Sequence, residues 1–126
     1  MGKENIDRAR AYIDAYNRFD IDGMMEQLHP DVTFQNYTNE ELTLERRGTR
    51  DFREQAEAAA KMFSERNQEI TKIRVQPNSI IVEIAYVGKL SIDLPNGPRS
   101  GEKVELSGVT EFKFLDGRII AIIDRS

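Results

Sequence analysis

Ile6, Ala9, Tyr12, Ile13 and Tyr16 recur three and four residues apart, a spacing that predicts a helix from Ile6 to about Asn17 with one inward stripe. Asp20-Ile21-Asp22-Gly23 breaks it. Asp22 is placed to cap a short second helix through Leu28, with Met24, Met25 and Leu28 on its apolar side and Pro30 ending it. The period then changes to two. Val32, Phe34 and Asn36 share one face of a first strand over Asp31 to Asn36, and Leu42 and Leu44 share a face over Glu41 to Arg47. A long helix follows from Gly48-Thr49, with Thr49 as its cap, Asp51 and Glu54 at the positive end of its dipole, and Phe52, Ala56, Ala59, Ala60 and Phe63 facing inward. Beyond it the pattern is strands: Glu69 to Val75, Ile80 to about Ile92, Lys103 to Phe114 and Arg118 to Asp124. A turn at Gln76-Pro77-Asn78-Ser79, a loop over Leu94 to Gly101 and a hairpin turn at Asp116-Gly117 separate them. Helices among short strands, then a run of antiparallel strands, predict an α+β domain with its helices on one face of a curved sheet. Residues 1–126 read as a single domain.

Strand parity assigns the faces, because side chains alternate. Ile80, Val82, Ile84 and Tyr86 share the inner side of the long strand. Val104, Leu106, Gly108, Thr110, Phe112 and Phe114 share that of the next. In the last strand Ile120, Ile122 and Asp124 fall on one side and Ile119, Ala121 and Ile123 on the other, so both faces are apolar. A sheet covered on one side has a wetter second side. The surplus therefore points to a homodimer through the open face, using Val87, Val109, Ile119, Ala121 and Ile123.

Composition narrows the function. Of the 126 residues, 39% are hydrophobic and 32% charged, a globular balance, and the net charge of −4 lacks the basic face that nucleic acid requires. With no cysteine and one histidine, His29, the chain has no thiolate metal site, no cysteine nucleophile and little material for a zinc site or a Ser-His-Asp triad. No apolar run approaches the ~20 residues of a membrane span, and the charged N-terminal segment is unlike a signal peptide, so a cytoplasmic location is expected. No Gly-rich phosphate loop or nucleotide fingerprint is present, and no cofactor is expected.

Tyr12-Ile13-Asp14-Ala15-Tyr16-Asn17, Asp20-Ile21-Asp22-Gly23, Leu28-His29-Pro30-Asp31-Val32-Thr33-Phe34, Gly48-Thr49-Arg50-Asp51-Phe52-Arg53 and Phe112-Lys113-Phe114-Leu115-Asp116-Gly117-Arg118-Ile119, in this order, resemble the nuclear-transport-factor-2-like superfamily, and within it the SnoaL-like and ketosteroid-isomerase-like proteins. The resemblance spans nearly the whole chain. It implies a cone-shaped, cystatin-like roll: a strongly bent, mostly antiparallel sheet wrapped around three helices of the N-terminal half, with an apolar pocket inside. It also implies a homodimer through the sheet. It carries over residue by residue. Tyr12 stands where the isomerases place an oxyanion-donating tyrosine on the first helix. Asn36 replaces their general-base aspartate, and an amide does not accept a proton at neutral pH. Thr110 replaces their protonated aspartate on the penultimate strand. Phe34-Gln35-Asn36 is similar to the water-holding set of the limonene epoxide hydrolases, with Phe34 in place of a tyrosine. Asp124 falls near their last-strand aspartate, but Ile84 to Val87 supply neither the arginine nor the second aspartate of that set. SnoaL-type polyketide cyclases carry an acid/base aspartate where Asp124 is, and a histidine where this chain has Thr110.

Asp124 is the candidate catalytic residue. Parity puts it with Ile120 and Ile122 on the pocket side, and desolvation there makes a carboxylate a usable acid or base. The plainer alternative is a solvated carboxylate or one paired with Arg125. Tyr12, Tyr16, Phe34, Asn36, Phe52, Tyr86, Thr110 and Phe112 are the candidate ligand-binding residues around it. For Asn36 the alternative is an amide that satisfies loop backbone. For Tyr12 it is a core ring whose hydroxyl reaches solvent or backbone. Phe34, Phe52, Met62, Phe63, Phe112 and Phe114 fit a core. His29 fits a cap at the end of the second helix. Arg46, Arg47, Arg50 and Arg53 form either an anion site at a helix N-terminus or a solvated face paired with Glu41, Glu45 and Glu54. Two functions follow. One is a cofactor-free isomerase, cyclase or hydrolase acting on a small apolar molecule in the cone, with Asp124 as acid/base and Asn36 and Tyr12 as polar positioners. The other is a non-catalytic binder or dimerising module, including a cone filled by its own side chains. Neither nucleic acid nor membrane is an expected partner.

Overall fold

The computed structural model describes residues 2–95 and 97–126; Met1, and Asn96 within the expected loop, lie outside the described residues. The described elements run α1 (Gly2–Asn17), α2 (Ile21–Met25), β1 (Leu28–Thr38), β2 (Glu41–Arg47), α3 (Gly48–Ala60), β3 (Phe63–Gln76), β4 (Ser79–Leu90), β5 (Lys103–Leu115) and β6 (Arg118–Arg125). One open sheet has the order β2-β1-β6-β5-β4-β3, antiparallel at every junction except β1 with β6. The fold is the expected cone-like, cystatin-type α+β roll. The last strand to be made lies in the middle of the sheet, between β1 and β5.

The helical stripes bury as their spacing requires: Ala9, Tyr12 and Ile13 on α1, and Phe52 and Ala56 on α3. They meet the inner faces of the strands, where Val32, Ile80, Val82, Phe112, Ile119 and Ile122 are fully buried. Asp116 and Gly117, at φ 53° and 77°, form the turn with two left-handed residues that joins β5 to β6.

Several local expectations are corrected. The cap of α2 is Asp20, whose carboxylate accepts the Gly23 N–H at 2.9 Å, while Asp22 pairs with Arg53 at 2.7 Å. A Cβ at Gly23 would stand 2.4 Å from Asp20 Oδ2, so any side chain there pushes the capping carboxylate aside. We expect Asp20→Ala to cost about 1 kcal/mol, read as a lowered urea midpoint. The helix stops at Met25, so Leu28 and Pro30 belong to β1. Pro30 is tolerated because β1 registers with β6 at Leu28 and then not again until Thr33, so the ladder does not need the missing N–H there. Thr49 is not the cap of α3; the helix starts at Gly48, and Asp51 accepts the Arg47 N–H at 3.1 Å. β3 starts at Phe63, which takes Phe63 off the α3 stripe, and β4 ends at Leu90 rather than Ile92.

The largest correction is parity in β6. Lys113 faces Ala121 but Phe114 faces Ile119, so Ile120 is an inserted bulge residue and the faces swap across it. Ile119 is therefore buried in the core with Leu28, and it leaves the open-face set of Val87, Val109, Ala121 and Ile123. On that face Ile123 is itself buried and Val87 is exposed.

Candidate ligand chamber and acid–base site

Register across the sheet builds the site. Downstream of the bulge the parity of β6 is as expected, so Phe34, Ile122, Phe112 and Ile80 form one inward row over four strands, and Asn36, Asp124, Thr110 and Val82 form the next. The first row is all apolar. The second carries three polar side chains, and within it Thr110 Oγ1 donates to Asp124 Oδ1 at 2.7 Å.

Above these rows, α1 and α3 enclose a chamber of about 140 Å³. A vestibule of about 290 Å³ adjoins it. Tyr16, Gln68, Thr110 and Asp124 border both spaces and form the throat between them. The inner chamber is otherwise mostly apolar, walled by Tyr12, Met24, Phe34, Phe52, Phe112 and Ile122, with Gln55 as a further polar side chain and the small Ala56 and Ala59 opening space on the α3 side. An apolar cavity of about 150 Å³ is enough for benzene. The chamber has room for about one ring of that size.

Every sequence-level candidate has a place in this arrangement. Tyr12, Tyr16, Phe34, Phe52, Thr110, Phe112 and Asp124 line the chamber, while Asn36 and Tyr86 line the vestibule. Asn36 neighbours Asp124 in register, but its Nδ2 donates to Thr43 Oγ1 at 2.9 Å within its own hairpin. Tyr12 is buried and edges onto Phe112 with ring centroids 5.7 Å apart. Tyr16 Oη donates to Tyr86 Oη at 3.0 Å. The end of α1 is tied to β3 by Asn17, whose amide donates to the Gln68 carbonyl at 3.1 Å and accepts the Gln68 N–H at 2.7 Å. That pair fixes Tyr16 and Gln68, two sides of the throat.

Burial pushes the Asp124 carboxyl up to about 6, against the opposing pull of its Thr110 hydrogen bond. The Tyr12 hydroxyl is pushed well up by burial, then by the charge of Asp124. The chamber thus pairs a carboxyl that changes charge near neutrality, Asp124, with a phenol that stays protonated, Tyr12. A carboxyl that titrates near neutrality has the chemistry to take up a proton and to give it back.

Gln55 and Gln68 line the chamber and Arg66 is buried against Tyr16, and sequence reasoning singled out none of the three. Gln55 interrupts the α3 stripe at Phe52, Gln55, Ala56 and Ala59, a polar insertion visible in the spacing. Gln68 and Arg66 fall in a stretch the pattern left outside a strand. One other expectation is corrected. His29 is in β1, where its Nδ1 accepts the Asp31 N–H at 3.0 Å, and caps no helix. Arg46, Arg47, Arg50 and Arg53 form ion pairs with Asp51, Glu45, Glu54 and Asp22 respectively. Among the described residues no group of His, Cys, Asp or Glu side chains is placed to hold a metal ion. No helix among them is long and apolar enough to cross a membrane.

The family model of the SnoaL-like domain matches residues 9–122. Solved structures share the fold. AclR of Streptomyces galilaeus, assigned as a hydroxylase, is 19% identical, with 98% of this chain and 89% of that one covered and a TM-score of 0.78. A protein of Xanthomonas campestris assigned as a polyketide cyclase is 21% identical, with 99% and 91% covered and a TM-score of 0.76. An LEH-like epoxide hydrolase of M. tuberculosis is 19% identical, with 98% and 83% covered and a TM-score of 0.78. No curated protein matches.

Proposed function

The chain belongs to the SnoaL-like domain family, and from that premise we propose that it is a cofactor-free acid–base enzyme acting on a small, mostly apolar ring compound held in the chamber. The observation that carries this reading is a carboxylate at the throat of an apolar chamber, held by a single hydroxyl donor at 2.7 Å. Asp124 as its carboxylate takes a proton from the carbon beside a carbonyl. The electron pair moves onto the carbonyl oxygen, and the protonated carboxyl then returns a proton at the same or another atom. Isomerisation and cyclisation share that opening step, and a structural neighbour assigned as a polyketide cyclase is in keeping with it. Binding without turnover is the second reading, favoured by Asn36 and Thr110 standing at positions where ionisable partners would strengthen catalysis.

The test is hydrogen–deuterium exchange at the carbon beside the carbonyl of small cyclic ketones in heavy water, followed by NMR. The wild-type chain should accelerate exchange. Ala56→Leu, which fills the chamber from α3, should lose at least about tenfold of that rate while remaining folded, the scale of about 1.4 kcal/mol of binding. Ketones that bind in the chamber but exchange no faster than in buffer would leave the binder.

A further inference from the structure

β3 buries a charge behind Tyr16, one side of the throat. Arg66 is 6% exposed, and among the described residues no carboxylate forms an ion pair with it. Its Cζ lies 3.7 Å from the Tyr16 ring centroid and 4.4 Å from that of Phe19. Its Nε donates to the Tyr16 carbonyl at 2.9 Å, while its Nη2 is buried with no hydrogen-bond partner.

The end of α1 is shaped around this cation. Phe19 N donates to Tyr16 O and Asp20 N to Ala15 O, the pair of bonds that closes a helix with a left-handed residue. That residue is usually glycine; here it is Phe19 at φ 59°, a strained place for a large side chain. The strain sets its ring over the guanidinium. The helix-end carbonyl and the two rings offset part of the charge. Among the described residues no carboxylate comes within ion-pairing distance to match the rest, and burying an unmatched cation is costly.

Tyr16 links that cation to the throat. Its ring underlies the guanidinium and its hydroxyl donates to Tyr86. The Tyr86 oxygen, having accepted that bond, keeps its own proton, which no described residue accepts, and Tyr86 borders the vestibule. We infer that Arg66, Tyr16 and Tyr86 form an oxyanion-holding relay, so that the ligand is a ring compound bound through an ionisable oxygen, an enol or phenol, as its anion. This deepens the proposed function and rests on it: Asp124 removes the proton, and the relay holds the charge left on oxygen. Arg66 acts through Tyr16 and is a positioning residue. Burial pushes the Tyr12 and Tyr86 hydroxyls up, the neighbouring Tyr16 adds to the rise in both, and Arg66 opposes it.

para-Nitrophenol reports its own ionisation by colour. The charged or titratable groups lining the chamber and vestibule are Asp124 and Arg125 on β6, Tyr12 and Tyr16 on α1 and Tyr86 on β4, with Arg66 on β3 behind the Tyr16 ring; Arg125 is present in every variant compared, so a change on Arg66→Gln or Tyr86→Phe is not its doing. Asp124 opposes an anion, so the dye is titrated bound to Asp124→Asn. Its midpoint should fall by about one pH unit from the value in buffer, the scale of a neighbouring opposite charge. Arg66→Gln or Tyr86→Phe, added to that chain, should return it to the buffer value or above. A merely structural Arg66 would change the amount of folded protein and leave the midpoint of bound dye alone. Should Arg66→Gln not fold, Tyr86→Phe decides. A midpoint that does not fall, or that neither substitution moves, overturns the relay, and ketone exchange by the wild-type chain would still uphold the enzyme. A lowered midpoint without ketone exchange upholds the relay and removes the enzyme. Failure of the dye to bind overturns the relay and counts against the chamber.

Discussion

Asp124→Asn is expected to lower proton exchange about 10²–10⁴-fold and at the same time to stabilise the folded chain at neutral pH. Both effects come from one desolvated carboxyl. Its ordinary value is 3.8 and the fold lifts it to about 6. Between those two pH values the native state holds a proton that the unfolded state has released. Stability therefore falls as pH rises through that window, with no penalty below it and the full penalty above it. A lift of about two units, at about 1.4 kcal/mol each, sets an upper bound near 3 kcal/mol. Asp124 is only partly buried, so solvent screens part of it and a gain of about 1–3 kcal/mol is expected for the variant above pH 6. The asparagine keeps the shape and can accept the Thr110 hydroxyl, but it cannot take a proton. Urea unfolding of both chains across the window checks this. Their curves should coincide at the acid end and separate as pH rises. Exchange by the wild-type chain should rise with pH through the same midpoint, since the working form is the carboxylate. A variant less stable than wild type at neutral pH would mean that the charge is paid for by contacts other than Thr110.

Part of this was readable in the sequence, because the signals are local. Alternation located β2 over Glu41 to Arg47, and the spacing of Ala9, Tyr12, Ile13 and Tyr16 located the inner stripe of α1. Parity put Thr110 and Asp124 on the inner face, and register then made them neighbours. The bulge at Ile120 was invisible. Ile119 and Ile120 are both apolar, so neither parity looks wrong, and only the pairing with Phe114 selects one. The cap of α2 was ambiguous because two aspartates precede Gly23. The left-handed end of α1 at Phe19 settles it by aiming the Asp20 carboxylate at the Gly23 N–H. Arg66 and Gln68 were missed because Ser64-Glu65-Arg66-Asn67-Gln68 has no apolar alternation. That stretch is strand by pairing with Tyr86 to Lys89, and tertiary pairing overrides weak local preference. That Arg66 lacks a carboxylate partner is a fact of assembly, which no reading of residue types reveals.

Phe112→Ala carries the largest expected cost in stability, about 3–5 kcal/mol. Phe112 is 1% exposed, lies in the row of Phe34, Ile122 and Ile80, and meets the edge of the Tyr12 ring. Its loss removes packing from both the sheet and α1. A domain with about 5–15 kcal/mol in total would be left close to unfolding. The site adds a feature that an ordinary core substitution lacks. Phe112 also walls the chamber, so the new void joins an existing space of about 140 Å³ instead of closing as an isolated hole. A small aromatic molecule such as toluene should enter the enlarged space and restore stability by binding only the folded state. At a concentration about 100 times its dissociation constant that recovers about 2.7 kcal/mol. Phe114→Ala is the matched control. Phe114 is 8% exposed and belongs to the same core, but it does not line the chamber. It should be destabilised by the same mechanism and gain little from toluene. Thermal unfolding with and without toluene separates the two. Rescue of the Phe112 variant alone places an open apolar chamber behind the throat. Equal rescue of both, or of neither, would make Phe112 plain core, and the ligand would then have to sit in the vestibule.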